Sequence, residues 1–205
     1  MSLNVLILPE DATYDKDVLK PIVGALLGHL GRPQAKVRVH SGFGGLGDAL
    51  KWECVSKVLD QYRGMVDLFV LVVDRDGDAH RAQALARLEA RATVGEGAHP
   101  PFLTAQTGFF AENAWQEVEV WVLAGCDDLP TEWSWQDIRA ERDSKERYYN
   151  AYAARHDPAW DARPTDGLRQ LAAEAARRYD RIRRLCFEDV GRLEQRIGDW
   201  LAARA

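Results

Sequence analysis

At 205 residues, with 46% hydrophobic and 29% charged side chains, the chain has the composition of a soluble globular protein. It is long enough for one large domain, or one domain with a substantial appendage. A net charge of −5 argues against a strongly basic nucleic-acid binder but leaves room for a local basic patch, and no apolar run approaches the ~20 residues that span a bilayer. The first residues, Met1 to Glu10, lack a basic region and a small-residue cleavage site, so no signal peptide is expected. Cys54, Cys126 and Cys186 show no metal-binding or redox spacing and read as thiols. A cytoplasmic protein with no membrane partner is the resulting expectation.

Taken in order, Leu3 to Leu8 is a compact apolar strand ending at Glu10 and Asp11. From Asp15, apolar residues at Val18, Leu19, Ile22, Val23, Leu26 and Leu27 follow helical spacing, with Asp15 and Asp17 at the favoured amino end. Pro21 belongs in the first turn or at a kink. Lys36 to His40 alternates as a strand, and Ser41 to Gly47 is a glycine-rich loop before a helix over 48–62. That loop lacks the Gly-Lys-Ser/Thr end of a P-loop. A flexible connection is the favoured reading, with contact to a substrate phosphate left open.

Leu68 to Val73 is a buried strand that releases Asp74-Arg75-Asp76-Gly77-Asp78 at its carboxyl end. A helix from Ala79 to Ala92 follows, then a loop over 93–101 and a short fourth strand, Phe102 to Gln106. The order β-α-β-α-β-α-β predicts an α/β fold with a mainly parallel four-stranded sheet flanked by helices. Residues 1–107 are expected to form that core and 108–205 a helical extension packed on it. Within the extension, Trp115 to Ala124 reads as a helix with a Trp115, Val118, Val122 stripe, closed by Gly125. The aromatics Trp133, Trp135, Tyr148, Tyr149 and Tyr152 read as packing, 157–166 as a linker, and 168–201 as one long helix or two joined near Cys186.

The chemistry-bearing residues gather at strand ends, where open α/β sheets place ligands. Glu10 and the pair Asp74 and Asp76 offer the oxygen ligands that Mg²⁺ or Mn²⁺ takes. A metal held by Asp74 and Asp76, beside a proton-exchanging Glu10, suits phosphodiester chemistry. A second metal would draw on Asp15, Asp78, Glu117 and Glu119. The plain alternative is an Asp-Gly turn whose carboxylates cap the next helix. In the tail, Arg177, Arg181 and Arg184 fall on one face if the helix is continuous, a candidate contact for nucleic-acid phosphates. The same run also suits a solvated face paired with Glu174, Asp180 and Glu188.

The strand-Glu10, helix, strand-Asp74-x-Asp76 arrangement resembles the Toprim domain of topoisomerases, primases and OLD-type nucleases over roughly 3–107. The segment Glu117-Val-Glu119-Val-Trp121-Val-Leu-Ala124 is similar to the Glu-x-Glu-Ala-Trp-Leu-Leu-Ala-Asp segment of a Toprim-like bacterial family. Lys145 and the Cys186-Phe187 tail also look like that family, often encoded beside ABC- or AAA-type ATPases and associated with phage defence. The resemblance implies metal binding by Glu10, Asp74 and Asp76, with Glu119 facing the metal. It implies a metal-dependent nuclease, a DNA-binding hydrolase, and an ATPase as partner. Departures are Asp11 and Tyr14 where the family has Gly and Glu after its first strand, and Gly125 in place of the closing Asp.

Two rivals stand beside this reading. Val-Val-Asp74-Arg-Asp76-Gly77 resembles the nucleophile motif of haloacid-dehalogenase-type phosphatases, but that motif normally opens the chain and continues with Thr, where this chain has Asp78. A non-catalytic subunit that docks on an ATPase suits the altered first motif. An EF-hand fails, because the glycine falls at loop position 4 rather than 6.

Overall fold

The computed structural model describes residues 2–95, 101–156 and 164–204, with the side chains of 164–167 left out of the account. Four strands form one wholly parallel sheet: β1 (Asn4–Pro9), β2 (Lys36–Val39), β3 (Leu68–Asp74) and β4 (Gly108–Ala114), in the order β2-β1-β3-β4. The expected α/β class holds. Six consecutive apolar residues give β3 its place, because an inner strand of a parallel sheet is covered on both faces. Alternate residues divide between two cores. Val5, Ile7, Val70 and Val72 face the helix α1 (Asp15–His29) and the carboxyl-terminal helices. Leu6, Leu8, Phe69, Leu71 and Val73 face α3 (Trp52–Gln61) and α4 (Arg81–Val94), with a short α2 (Leu46–Ala49) ahead of α3.

The fourth strand is not 102–106. That segment makes only an isolated bridge between Thr104 and Thr107, and β4 begins at Gly108, past the boundary expected at 107. Its Glu112 and Asn113 are buried, which hid the strand from an apolar pattern. Glu112 is tolerable there because Arg192 Nε donates to it at 2.9 Å from across the sheet edge.

Trp115 leaves the sheet before any helix begins, so the expected stripe through it does not form. Helix α5 (Glu119–Gly125) follows, with all seven residues buried. Next come α6 (Trp135–Ala140), a π-helical turn Lys145–Tyr149, and α7 (Asn150–His156). The expected linker over 157–166 lies largely outside the described residues. The tail is neither one helix nor two: α8 (Pro164–Ala176), α9 (Tyr179–Leu185), a π-helical turn Phe187–Gly191 and α10 (Arg192–Ala203) follow in turn. Gly125 allows α5 to meet α8. A Cβ there would stand 2.5 Å from that of Ala175. Among the described residues no helix is long and apolar enough to cross a membrane.

Candidate functional site

Parallel strands release their carboxyl ends on one edge of the sheet. The register pairs Pro9 with Val72 and Ala114 with Asp74, which brings the residues after β1, β3 and β4 together. The backbone N–H of Asp74 points to Glu10 Oε2 at 3.4 Å. Asp74 Oδ1 in turn accepts from the N–H of Val118 at 2.9 Å, immediately before α5. Glu119 opens α5 and is 2% exposed. Asp15 opens α1, is buried, and accepts from the N–H of Asp11 at 3.0 Å.

The loop after β3 is held by Gln116, which no motif pointed to. Its carbonyl accepts from the N–H groups of Arg75 at 2.8 Å and Asp76 at 3.1 Å, and its side-chain oxygen accepts from Gly77 N–H at 2.9 Å. Both Gln116 and Asp76 have left-handed backbones, with φ of 72° and 46°. Such strain persists where surrounding bonds over-determine it. Its sign is unreadable in a sequence, because neither residue is glycine.

Electrostatics make the acids one group. Burial pushes the Asp74 carboxyl well above the ordinary range, and the negative charges of Glu119, Asp15 and Glu10 add to that against the single Val118 N–H. Burial likewise raises Glu10, opposed by the Asp74 N–H and reinforced by Asp76. Asp15 is pushed up to about 7 by burial, with Glu119, Asp11 and Glu10 as the like charges around it. Glu117 also reaches about 7, from burial and the charge of Glu119, although it accepts from the Lys145 N–H at 2.6 Å. A cation among them is Lys145, whose Nζ lies 2.7 Å from Glu119 Oε1. Burial acts to lower the Lys145 ammonium, but Glu119, Glu117 and Asp74 outweigh it and raise it.

Two candidate ligands are engaged differently. Asp76 pairs with the buried Arg81, whose Nη1 lies 2.8 Å from Asp76 Oδ2 and also donates to the Asp74 carbonyl. Asp78 is exposed and accepts from His80 N–H at 2.8 Å just ahead of α4, so it serves the turn. The Gly-rich loop packs on the chain after β1: a Cβ on Gly42, at φ +90°, would lie 2.8 Å from that of Ala12. The three tail arginines are not carried on one continuous helix. Arg177 sits in the break between α8 and α9, and Arg181 Nε donates to the Ala124 carbonyl at 2.9 Å, at the end of α5 remote from Glu119. Arg184 is exposed on α9.

Comparison with known proteins yields no matching family model, no matching curated protein and no matching solved structure. The donor set itself suits a hard divalent cation: clustered carboxylates that raise one another's pKa are relieved by added positive charge. As placed, no three His, Cys, Asp or Glu side chains among the described residues are set to hold a metal ion together. Arg81 and Lys145 draw Asp76 and Glu119 into ion pairs instead.

Proposed function

We propose that the protein is a Toprim-like, divalent-metal-dependent enzyme that cleaves phosphodiester bonds in nucleic acid. One observation carries this reading: Glu10, Asp15, Asp74 and Glu119 are brought together at the carboxyl edge of the sheet, where burial and their mutual charge disfavour their ionised forms. Mg²⁺ or Mn²⁺ there would neutralise the substrate phosphate and stabilise the departing oxygen. Glu10 and Asp74 would hold it, and Asp76 would join only by leaving Arg81. Where it does not ligate the metal, Glu10, raised above the ordinary carboxyl range by burial and accepting from the Asp74 N–H, is the group suited to take up or release a proton. Lys145 orients Glu119, and Gln116 fixes the loop that carries Asp76.

The test is calorimetric titration of Mg²⁺ and Mn²⁺ into wild type, Asp74→Asn and Glu10→Gln, followed by plasmid nicking on the same samples. Binding and nicking by wild type, with both lost in Asp74→Asn, is the expected result. Full nicking by Asp74→Asn rules out the assignment.

A second reading rests on the two ion pairs. Arg81 on Asp76 and Lys145 on Glu119 give an acidic site partly neutralised from within, which suits a non-catalytic subunit that docks on an ATPase. Absence of metal binding in wild type would favour it. A role in defence against phage, and an ABC- or AAA-type ATPase partner, rest on the family resemblance. Cytoplasmic residence is supported by the free thiols of Cys54, Cys126 and Cys186.

A further inference from the structure

A polyanion approaching this site meets a chain of net charge −5 and a cluster of carboxylates. It needs fixed cations beside them. Most nearby cations are engaged. Lys145 pairs with Glu119, Arg81 with Asp76, and Arg139 with Glu188 and Asp189. Two arginines at the β3 loop, Arg75 on it and Arg142 packed against it from beyond α6, have no carboxylate partner among the described residues. Arg75 directly follows Asp74, and its guanidinium lies 3.8 Å from the Trp115 ring centroid. Trp115 is itself fixed, its Nε1 donating to the Arg139 carbonyl at 2.9 Å and its backbone N–H to Asp189 at 2.7 Å. Arg142, exposed and three residues beyond Arg139, lays its stem over Gly77, where a Cβ would meet its Cδ at 3.4 Å.

We propose that Arg75 and Arg142 form a lip on the acidic site that grips the sugar–phosphate backbone of duplex DNA, a proposal that rests on the phosphodiester-cleavage reading above. A stacked guanidinium is already ordered, so less freedom is lost when it takes a phosphate in its planar fork. Gly77 suits this loop because its φ of +72° favours glycine. The lip also relocates the nucleic-acid contact from the tail arginines to the loop that bears Asp74 and Asp76.

The experiment is fluorescence anisotropy of a short labelled DNA duplex, titrated in EDTA with wild type, Arg75→Gln/Arg142→Ala and Arg177→Ala/Arg184→Ala. The lip variant should bind at least about tenfold more weakly at low salt, and its dependence of log K on log salt should be shallower by about 1.8, at ~0.9 per lost phosphate contact. The tail variant should bind as wild type does. Arg142→Ala alone, at an exposed site, should fold normally and show part of the loss. Equal affinity of wild type and the lip variant, whether tight or absent, overturns the proposal. Plasmid nicking on the same samples separates the two ideas. Lost duplex binding with no nicking by wild type leaves the lip and removes the cleavage reading. Nicking with undiminished binding by the lip variant does the reverse.

Discussion

Asp15→Asn should stabilise the metal-free protein, although it alters a buried residue at a helix start. The wild-type carboxyl is 7% exposed and pushed up to about 7, mainly by burial and then by the charges of Glu119, Asp11 and Glu10. In the unfolded chain an aspartate titrates near ~3.9. A raised acid favours the folded state when protonated. Its contribution is therefore fully present below pH ~4 and is lost as pH rises through about 7. The gap between the two values is worth about 4 kcal/mol at ~1.4 kcal/mol per pH unit. Asparagine carries no charge to bury and can still accept from the Asp11 N–H, while forfeiting ~0.5 kcal/mol of helix-dipole interaction. With a further discount for relaxation around a mutual cluster, the net gain at pH 8 is about 2–3 kcal/mol. At ~2–4 °C per kcal/mol for a chain of this size, Tm should rise by roughly 5–10 °C. Thermal unfolding in EDTA at pH 4.5 and pH 8 measures it, with the advantage expected at pH 8 and nearly absent at pH 4.5. A variant less stable than wild type at pH 8, or a difference independent of pH, would refute the crowding argument.

Other perturbations probe the same frame. Saturating Mg²⁺ should raise the Tm of wild type more at pH 8 than at pH 5, because Asp15 and Glu117, both near 7, are deprotonated only at the higher pH; an equal shift at both would separate the cation from these acids. Lys145→Met keeps the stem but leaves the buried Glu119 without its partner; the pair is one-third exposed on the lysine side, so about 2 kcal/mol should be lost by urea denaturation, with partial recovery in Mg²⁺. Asp189→Ala removes the acceptor of Trp115 N–H, Trp121 Nε1 and Arg139 at a site 1% exposed, and about 3 kcal/mol should go; a loss below ~1 kcal/mol would mean the network closes without it. Gly125→Ala forces a methyl to within 2.5 Å of Ala175 Cβ and should cost about 3 kcal/mol by parting α5 from α8; unchanged stability would show that the two helices can separate freely.

The first three strands and the helices between them declare themselves because each buries a face whose period is written into adjacent residues. Leu68 to Val73 could hardly be anything but an inner strand, and Val18 to Leu27 carries a helical stripe. The positions of Glu10 and Asp74 at strand ends follow from the same patterns. Local period fails where a distant partner makes burial affordable. Glu112 interrupts β4 but is neutralised by Arg192, eighty residues further on, so the apolar pattern of a buried strand is broken there. The tail breaks into three helices because packing on α1, α5 and the sheet overrides a continuous helical spacing, and that separates Arg177 from Arg181 and Arg184.

By itself, then, the sequence determines the α/β class, the central strand and which acids emerge at the sheet's carboxyl edge, since these depend on neighbours within a few residues. Only the tertiary structure decides how those acids are balanced. Asp15, Glu119 and Lys145 belong to elements more than a hundred residues apart at the extremes, and their mutual distances exist only once the sheet and α5 have packed. The same holds for Gln116, Arg81, Arg75 and Arg142. Their roles arise from charge and hydrogen bonding across elements, and such interactions leave no periodic trace along the chain.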